Sequence, residues 1–312
     1  MGNQLITRPA IDFISARDDS YTLKKTNQHK RVSRLKFQSK VHDYTISSSP
    51  HGIKSNGKLE TNAFCDETDQ RKKDSLFSPC WGNFRETLPS TNEYIRANYV
   101  NGFKLPRKFI ACEAPTFETM IDYFNIIWNN ACEIIIVFSE SEKYEEEDGP
   151  YWPTYLGSKR QGKYLLTTKK IDKRVDYKKY YLEVLDSITM ENQRNISLYH
   201  FTNWPEYGLP VNSAQFLALL LDVNAESLDI FFTQPYMGPI VVHSDAGVSR
   251  TATFCAVDIS FEEWCATRYT NIFEIVRQMR DEDNSIILTR AQIKFIFQAV
   301  RILQQWDVLL KY

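Results

Sequence analysis

The stretch Pro239-Ile-Val-Val-His-Ser-Asp-Ala-Gly-Val-Ser-Arg-Thr251 has the make-up of an anion cradle. An apolar run, a tight loop of mostly small residues and a helical segment follow one another. That layout turns successive backbone N–H groups inward, and the helix N-terminus adds positive potential. Arg250, at the end of the loop, carries a planar fork of donors that can grip two phosphate oxygens. The candidate phosphate-binding residues are therefore His243, Ser244, Asp245, Ala246, Gly247, Val248, Ser249 and Arg250. Ser244 sits at the start of the loop. Its hydroxyl is not ionised by such a field at neutral pH and needs an adjacent general base to attack phosphorus. Asp245 sets a carboxylate one residue from an anionic ligand. Two negative charges ~5 Å apart repel by on the order of 2 kcal/mol at an effective dielectric of ~30. The repulsion applies if Asp245 faces the pocket and vanishes if it points outward.

The elements that must position this loop are legible from periodicity. Ile240 to Val242 reads as a buried strand and Val248 to Ala266 as the helix after the loop. Upstream, Phe109 to Cys112 is a short apolar run ending before Pro115. Thr116 to Asn130 has helical spacing, with Met120, Tyr123, Ile127 and Trp128 on related faces. Ile134 to Phe138 is apolar throughout, as in a strand buried on both faces. Gly162 to Lys169, Tyr177 to Ile188 and Ile196 to Trp204 are β-rich; Tyr181, Glu183 and Leu185 alternate with Leu182 and Val184. Ser213 to Leu221, Thr270 to Arg280 and Thr289 to Leu309 read as helices. The expected class is α/β (α+β), a central twisted mixed sheet flanked by helices, with the phosphate loop between a buried strand and a helix.

Hydrophobic residues make up 43% of the 312-residue chain and charged ones 25%, which suits a globular protein with a sizeable core and excludes disorder as its main state. The net charge of −1 gives no global argument for nucleic acid. It is unevenly spread: residues 1–57 hold 10 Lys/Arg against 4 Asp/Glu, a local +6 that leaves −7 for the rest. The basic part runs from Lys24 to Lys40, and Ser47 to Gly57 reads as a loop. The expected organisation is a basic N-terminal extension, 1–57, and a domain over 58–310. The extension is either a helical arm packed on the domain or a surface for acidic partners or lipid headgroups. No apolar run is long enough to span a membrane, and the N-terminus lacks a signal-peptide core. Met1-Gly2 is followed by Ile6 where a myristoylation motif wants Ser or Thr. The six cysteines have no metal-ligand spacing and read as reduced, partly buried thiols of a cytosolic protein that holds no metal or cofactor.

The residues 242–251 resemble the V-H-C-S-A-G-x-G-R-T signature of non-receptor-type protein tyrosine phosphatases, matching in register at His243, Ala246, Gly247, Arg250 and Thr251. Asn92 to Gly102 resembles the family's DYINANYVDG, and Phe109 to Pro115, with Thr119 and Trp128, resembles FIATQAP…T…FW…W. Tyr151-Trp152-Pro153 matches YWP, and His200 to Pro210 resembles the mobile-loop motif F-x-x-W-P-D-x-G-x-P. Together these matches cover about 250 residues. The resemblance implies the phosphatase fold. It also implies a site in which a cysteine thiolate attacks phosphorus, a histidine orients the loop and an aspartate protonates the leaving phenolate.

Against that pattern this chain departs at several independent parts. Ser244 replaces the nucleophilic cysteine, and Cys255, five residues past Arg250, reads as core. Glu206, after Trp204 and Pro205, stands at the general-acid position, one methylene longer than aspartate. Leu288 takes the place of the water-positioning glutamine. Gln292 matches the second glutamine, and Thr289-x-x-Gln292 also reads as a capping box. The family's ring-stacking tyrosine aligns with Ser75, and Phe77 supplies a ring from a shifted position in an alternative register. The Met-Gly start, the compact length and Pro79-Cys80-Trp81 resemble the tyrosine-phosphatase-like proteins of bracoviruses, the polydnaviruses of parasitoid wasps. That resemblance implies expression in infected host cells, in the host-cell cytoplasm, and interference with host signalling; a monomer is expected. The expectation is a catalytically inactive pseudophosphatase that binds phosphotyrosine proteins or other signalling partners. The alternatives are an interaction module with a vestigial pocket and a weakly active phosphatase.

Overall fold

The computed structural model describes residues 5–7, 31–33, 95, 97–139, 149–188, 193–205, 208–234, 236–245, 248–283 and 286–309. In the N-terminal extension these are two short strands, β1 (Leu5–Thr7) and β2 (Arg31–Ser33), paired antiparallel. The helical arm expected for the rest of 1–57 lies outside the described residues.

The domain is built on an eight-stranded sheet. Its strands are β3 (Ala97–Gly102), β4 (Leu105–Glu113), β5 (Ile134–Phe138), β6 (Gly157–Gln161), β7 (Tyr164–Lys173), β8 (Tyr177–Asp186), β9 (Gln193–Phe201) and β10 (Ile240–Ser244), in the spatial order 3-4-10-5-9-8-7-6. The four central strands, β4, β10, β5 and β9, are mutually parallel, and the outer ones pair antiparallel. Every residue of β5 and β10 is buried, as continuous apolar runs require when helices cover both faces. One face packs on α1 (Met120–Asn129) through Tyr123, Phe124 and Ile127. The other packs on α2 (Ser213–Thr233), α3 (Ser249–Thr267), α4 (Ile272–Glu282) and α5 (Arg290–Leu309).

The central helix is α3: fourteen of its 19 residues are buried, so it has no solvent stripe. Two of the buried residues are acids, Asp258 and Glu262. The ammonium of Lys108 on β4, itself fully buried, contacts Asp258 and lies 2.8 Å from Glu262. Asn224 on α2 donates to Asp258 at 2.7 Å. Burial opposes the charge on Lys108, but the two carboxylates win and hold its pKa above the ordinary lysine value. An unpaired buried charge would be costly, so this cluster ties β4, α2 and α3 together.

The strands β4, β7 and β9 differ from the expectation by two to four residues at their ends, and three other elements differ for identifiable reasons. The strand β6, Gly-Ser-Lys-Arg-Gln, was unanticipated because an edge strand with one open face needs no apolar alternation. The helix α2 runs twelve residues beyond Leu221, since Asp222, Asn224 and Glu226 lie on its half-buried side and bond to neighbouring strands and helices. α1 starts at Met120 rather than Thr116, because the Thr116 amide bonds the Thr119 hydroxyl at 2.9 Å. Cys112, Cys132, Cys255 and Cys265 are buried free thiols, as expected; Cys65 and Cys80 lie outside the described residues. Among the described residues no helix is long and apolar enough to cross a membrane, and no side-chain cluster could hold a metal ion.

Candidate functional site: the loop between β10 and α3

Alternation along β10 sends Ile240 and Val242 to the α2–α5 face and Val241 to the α1 face. His243 follows Val241, and its ring packs edge-on against Tyr123 at 5.6 Å between centroids. Ser244 ends the strand, 1% exposed, between its register partners Glu113 on β4 and Phe138 on β5. The Asp245 amide adds one more bond to the Phe138 carbonyl, at 3.4 Å. The Asp245 side chain is half-buried, and one of its carboxylate oxygens is shut off from solvent. Ala246 and Gly247 lie outside the described residues. Half-buried Val248 is the N-cap of α3, and Ser249, also half-buried, is its first residue; no side chain caps this end. The first-turn N–H groups of a helix have no carbonyl within it to bond, so they give the loop its positive potential.

Arg250 lies one residue into α3 and is 1% exposed. Its Nη1 donates to the carbonyls of Trp204 at 3.2 Å and Phe138 at 3.4 Å. Both bonds use one nitrogen of a group with five N–H donors. Arg250 thereby joins α3, the end of β5 and the loop after β9. That loop is held by its tryptophan. Trp204 is fully buried among Phe138, Phe216 and Phe295, and its indole N–H donates to the Gly208 carbonyl at 3.2 Å. Gly208 has φ +138°, a region in which a side chain is strained. The Val211 amide bonds the Asn203 carbonyl at 3.1 Å across the base of the loop. Pro205 is half-buried; Glu206 lies outside the described residues.

Behind the cradle lies a polar layer that the sequence reading did not identify. The Tyr151 hydroxyl is 2.9 Å from His243 Nε2 and 2.9 Å from the Tyr123 hydroxyl. Ser139 Oγ is 2.7 Å from His200 Nε2, and Trp152 packs edge-on against the His200 ring at 5.3 Å. Burial, with a smaller contribution from His200, lowers the pKa of His243 to about 3. Burial, and then Lys178, lowers that of His200 to about 3 as well. An imidazole that weakly basic, with Nε2 engaged by Tyr151, is a poor proton acceptor for Ser244. The Y-W-P match pointed to Tyr151 and Trp152 but carried no sign of these partners, which come from α1, β9 and β10.

The remaining expected site residues divide in two. Leu288 is 3% exposed and belongs to the core beside α5. The Thr289 amide donates to Gln292 Oε1 at 2.9 Å and the Gln292 amide to Thr289 Oγ1 at 3.2 Å, a reciprocal capping box. Cys255 is fully buried, and burial pushes its thiol well above the ordinary range. Ser75 and Phe77 lie outside the described residues.

A protein-family model described as protein-tyrosine phosphatase matches residues 70–301. Over 219 residues the chain is 32% identical to the receptor-type tyrosine-protein phosphatase alpha of Mus musculus, an overlap of 69% of this chain and 26% of that protein. Over 233 residues it is 29% identical to the probable tyrosine phosphatase protein N1 of Microplitis demolitor bracovirus, 72% of this chain and 73% of that one. The chain thus spans about a quarter of the receptor protein's length and nearly three quarters of the viral protein's.

Proposed function

The chain belongs to the protein-tyrosine phosphatase family, and from that premise we propose that it is a pseudophosphatase whose loop binds phosphotyrosine on signalling proteins without hydrolysing it. The observation that carries this reading is the pairing of Ser244 with a retained, anchored Arg250. Ser244 ends β10 at the nucleophile position, and Arg250 is held beside it by the Trp204 and Phe138 carbonyls. The arginine and the α3 N-terminus supply what anion binding needs. Catalysis needs more. A hydroxyl requires a base, and the neighbouring histidine has a pKa of about 3. Hydrolysis requires a positioned water, and Leu288 is an apolar core residue. Glu206 at the general-acid position does not remedy either loss.

On this reading the phosphatase-like domain spans 58–310 and acts as a monomer in the host-cell cytoplasm, where it shields or titrates phosphotyrosine proteins. The similarity to the bracovirus protein supports a viral setting. A second reading, an interaction module with a vestigial pocket, is favoured by the acids beside Ser244: Asp245 follows it and Glu113 is its register partner. The deciding experiment is calorimetric titration with a phosphotyrosine peptide, alongside turnover of an aryl phosphate. Phosphate-dependent binding without turnover supports the pseudophosphatase. Vanadate-sensitive turnover at the level of an active relative refutes it, and absence of phosphate-dependent binding transfers the case to the interaction module.

A further inference from the structure

The two edges of the eight-stranded sheet are finished differently. At one, β3 is covered by the end of α4: the Asn101 amide and Nδ2 donate to the Glu282 carboxylate at 3.3 and 2.7 Å, and Asn98 Nδ2 donates to Asp283 at 2.7 Å. At the other, no element among the described residues pairs with the outer side of β6. An open edge offers backbone N–H and C=O groups to another chain, and bulges or proline commonly blunt it. β6, Gly-Ser-Lys-Arg-Gln, has neither. Its pairing with β7 runs in unbroken register from Gly157↔Thr168 to Gln161↔Tyr164, whereas β3–β4 and β7–β8 each contain a register shift.

The hairpin after β6 has a two-residue loop, Gly162-Lys163, so Gln161 and Tyr164 form its closing hydrogen-bonded pair. Such pairs alternate along an antiparallel ladder. Gly157, Lys159 and Gln161 therefore bond inward to β7, and Ser158 and Arg160 turn their backbone groups to the open edge. Side-chain direction alternates with them. Lys159 and Gln161 stand opposite Leu166 and Tyr164 and share their α1 face; Ser158 and Arg160 point to the other face.

On the α1 face, a glycine at each end of β6 lets an apolar side chain lie over the strand. A Cβ on Gly157 would be 2.5 Å from the Tyr155 ring, and one on Gly162 would be 2.8 Å from Ile121 Cγ1. Tyr155 is 63% exposed, Ile121 48%, and Phe117, four residues before Ile121, 89%. On the opposite face Arg160 is exposed. Its Nη1 donates to Ser187 Oγ at 2.8 Å, and among the described residues it makes no ion pair.

These features describe one kind of occupant. The edge takes an extended backbone, the α1 side takes apolar side chains against Tyr155 and Ile121, and the other side takes a carboxylate at Arg160. A second copy of β6 fits badly, because it sets two cations and no acid against two cations and no acid. We propose that β6 is an acceptor edge for β-strand addition, taking about five residues of a partner protein in which apolar and acidic side chains alternate. Main-chain bonds supply the affinity, and the alternation fixes the register. β6 lies five strand steps from β10, roughly 24 Å. The inference therefore stands apart from phosphotyrosine binding at the cradle.

The test uses the full chain and a blocked peptide of alternating Val and Glu, about twice the length of β6, with a Val/Lys peptide as its charge control. Adding the Val/Glu peptide should slow amide hydrogen exchange at Ser158 and Arg160. Calorimetric titration should show roughly a two- to five-fold preference for it at low salt, the value of one exposed charge pair. Arg160→Glu should reverse the preference. Ser158→Pro, which removes an outward N–H and is tolerated on an edge strand, should abolish binding of both peptides. Failure of both peptides to bind, binding without slowed exchange at the two amides, or a preference unchanged in Arg160→Glu overturns the inference. If Ser158→Pro unfolds the domain, exchange and charge reversal decide. Protection of the two amides in the chain alone also overturns it. Protection that is lost on dilution assigns the edge to a second copy, and protection independent of concentration assigns it to a segment of the same chain.

Discussion

Replacing Arg250 by methionine separates what this side chain does for the fold from what it does for a ligand. Its Nη1 bonds to two carbonyls belonging to fully buried residues, at 3.2 and 3.4 Å. Hydrogen bonds from a charged donor are worth roughly 1.5–3 kcal/mol, and these are long, so the lower end applies to each. Methionine keeps much of the volume and removes the desolvation cost of a buried guanidinium, which offsets part of the loss. The net destabilisation should be about 1–3 kcal/mol. At ~2–4 °C per kcal/mol for a domain of this size, the melting temperature falls by roughly 2–12 °C. The effect on a phosphotyrosine ligand is larger. Losing a two-toothed, charge-assisted grip of about 3–4 kcal/mol weakens binding by at least ~100-fold. Arg250→Lys keeps the charge without the fork and should fall between the two. Thermal unfolding gives the first number and calorimetric titration the second, on the same preparations. A methionine variant that melts with the natural chain and binds phosphopeptide equally well would refute both the anchoring bonds and the anion cradle.

Four further outcomes are expected. Ser244→Cys should permit one covalent phosphorylation event per chain, read by mass spectrometry after exposure to an aryl phosphate, but not sustained turnover, because Leu288 is core and cannot orient water; steady turnover from this one change would contradict the account. Asp245→Ser should tighten phosphopeptide binding by about three- to ten-fold at low salt, and less at high salt, since the carboxylate is only half-buried; unchanged affinity would place its charge away from the cradle. His200 and His243 have folded pKa values of about 3 against ~6.5 unfolded, so only the unfolded chain binds these protons between those pH values. Stability from these two sites is therefore complete above pH ~6.5 and falls on acidification by up to ~1.4 kcal/mol per pH unit for each histidine; imidazole NMR signals titrating near the unperturbed value would disprove this. Gln292→Ala should cost about 1 kcal/mol through the lost capping box, and an unchanged denaturation midpoint would count against the box.

Much of the site was legible because its signals are local. A strand entering a tight loop and then a helix is written in consecutive residues, and both Ile240–Ser244 and Ser249–Thr267 fall within a residue or two of where the apolar run and helical spacing place them. The Thr289–Gln292 box is equally local, and its two bonds span three residues. Cys255 reads as core because five residues past Arg250 is more than a turn into the helix, away from the loop. The length of α2 was not legible, since the polar residues that seem to end its pattern find partners on other elements.

By itself the sequence determined which residue types are available to the loop: a serine at 244, an aspartate at 245 and an arginine at 250. Those are statements about identity and spacing along the chain, and no packing alters them. The tertiary structure decided how the retained residues are held. Arg250 meets Trp204 and Phe138 across separations of 46 and 112 residues, and His243 meets Tyr151 across 92. Such partners are chosen when the sheet order 4-10-5-9 brings the ends of four strands to one edge of the sheet. The same register places Lys173 opposite Lys178 on neighbouring strands. A hydrogen bond or a repulsion between distant residues exists only once the backbone has brought them within a few ångströms, and one-dimensional periodicity records which face a residue occupies without recording what faces it.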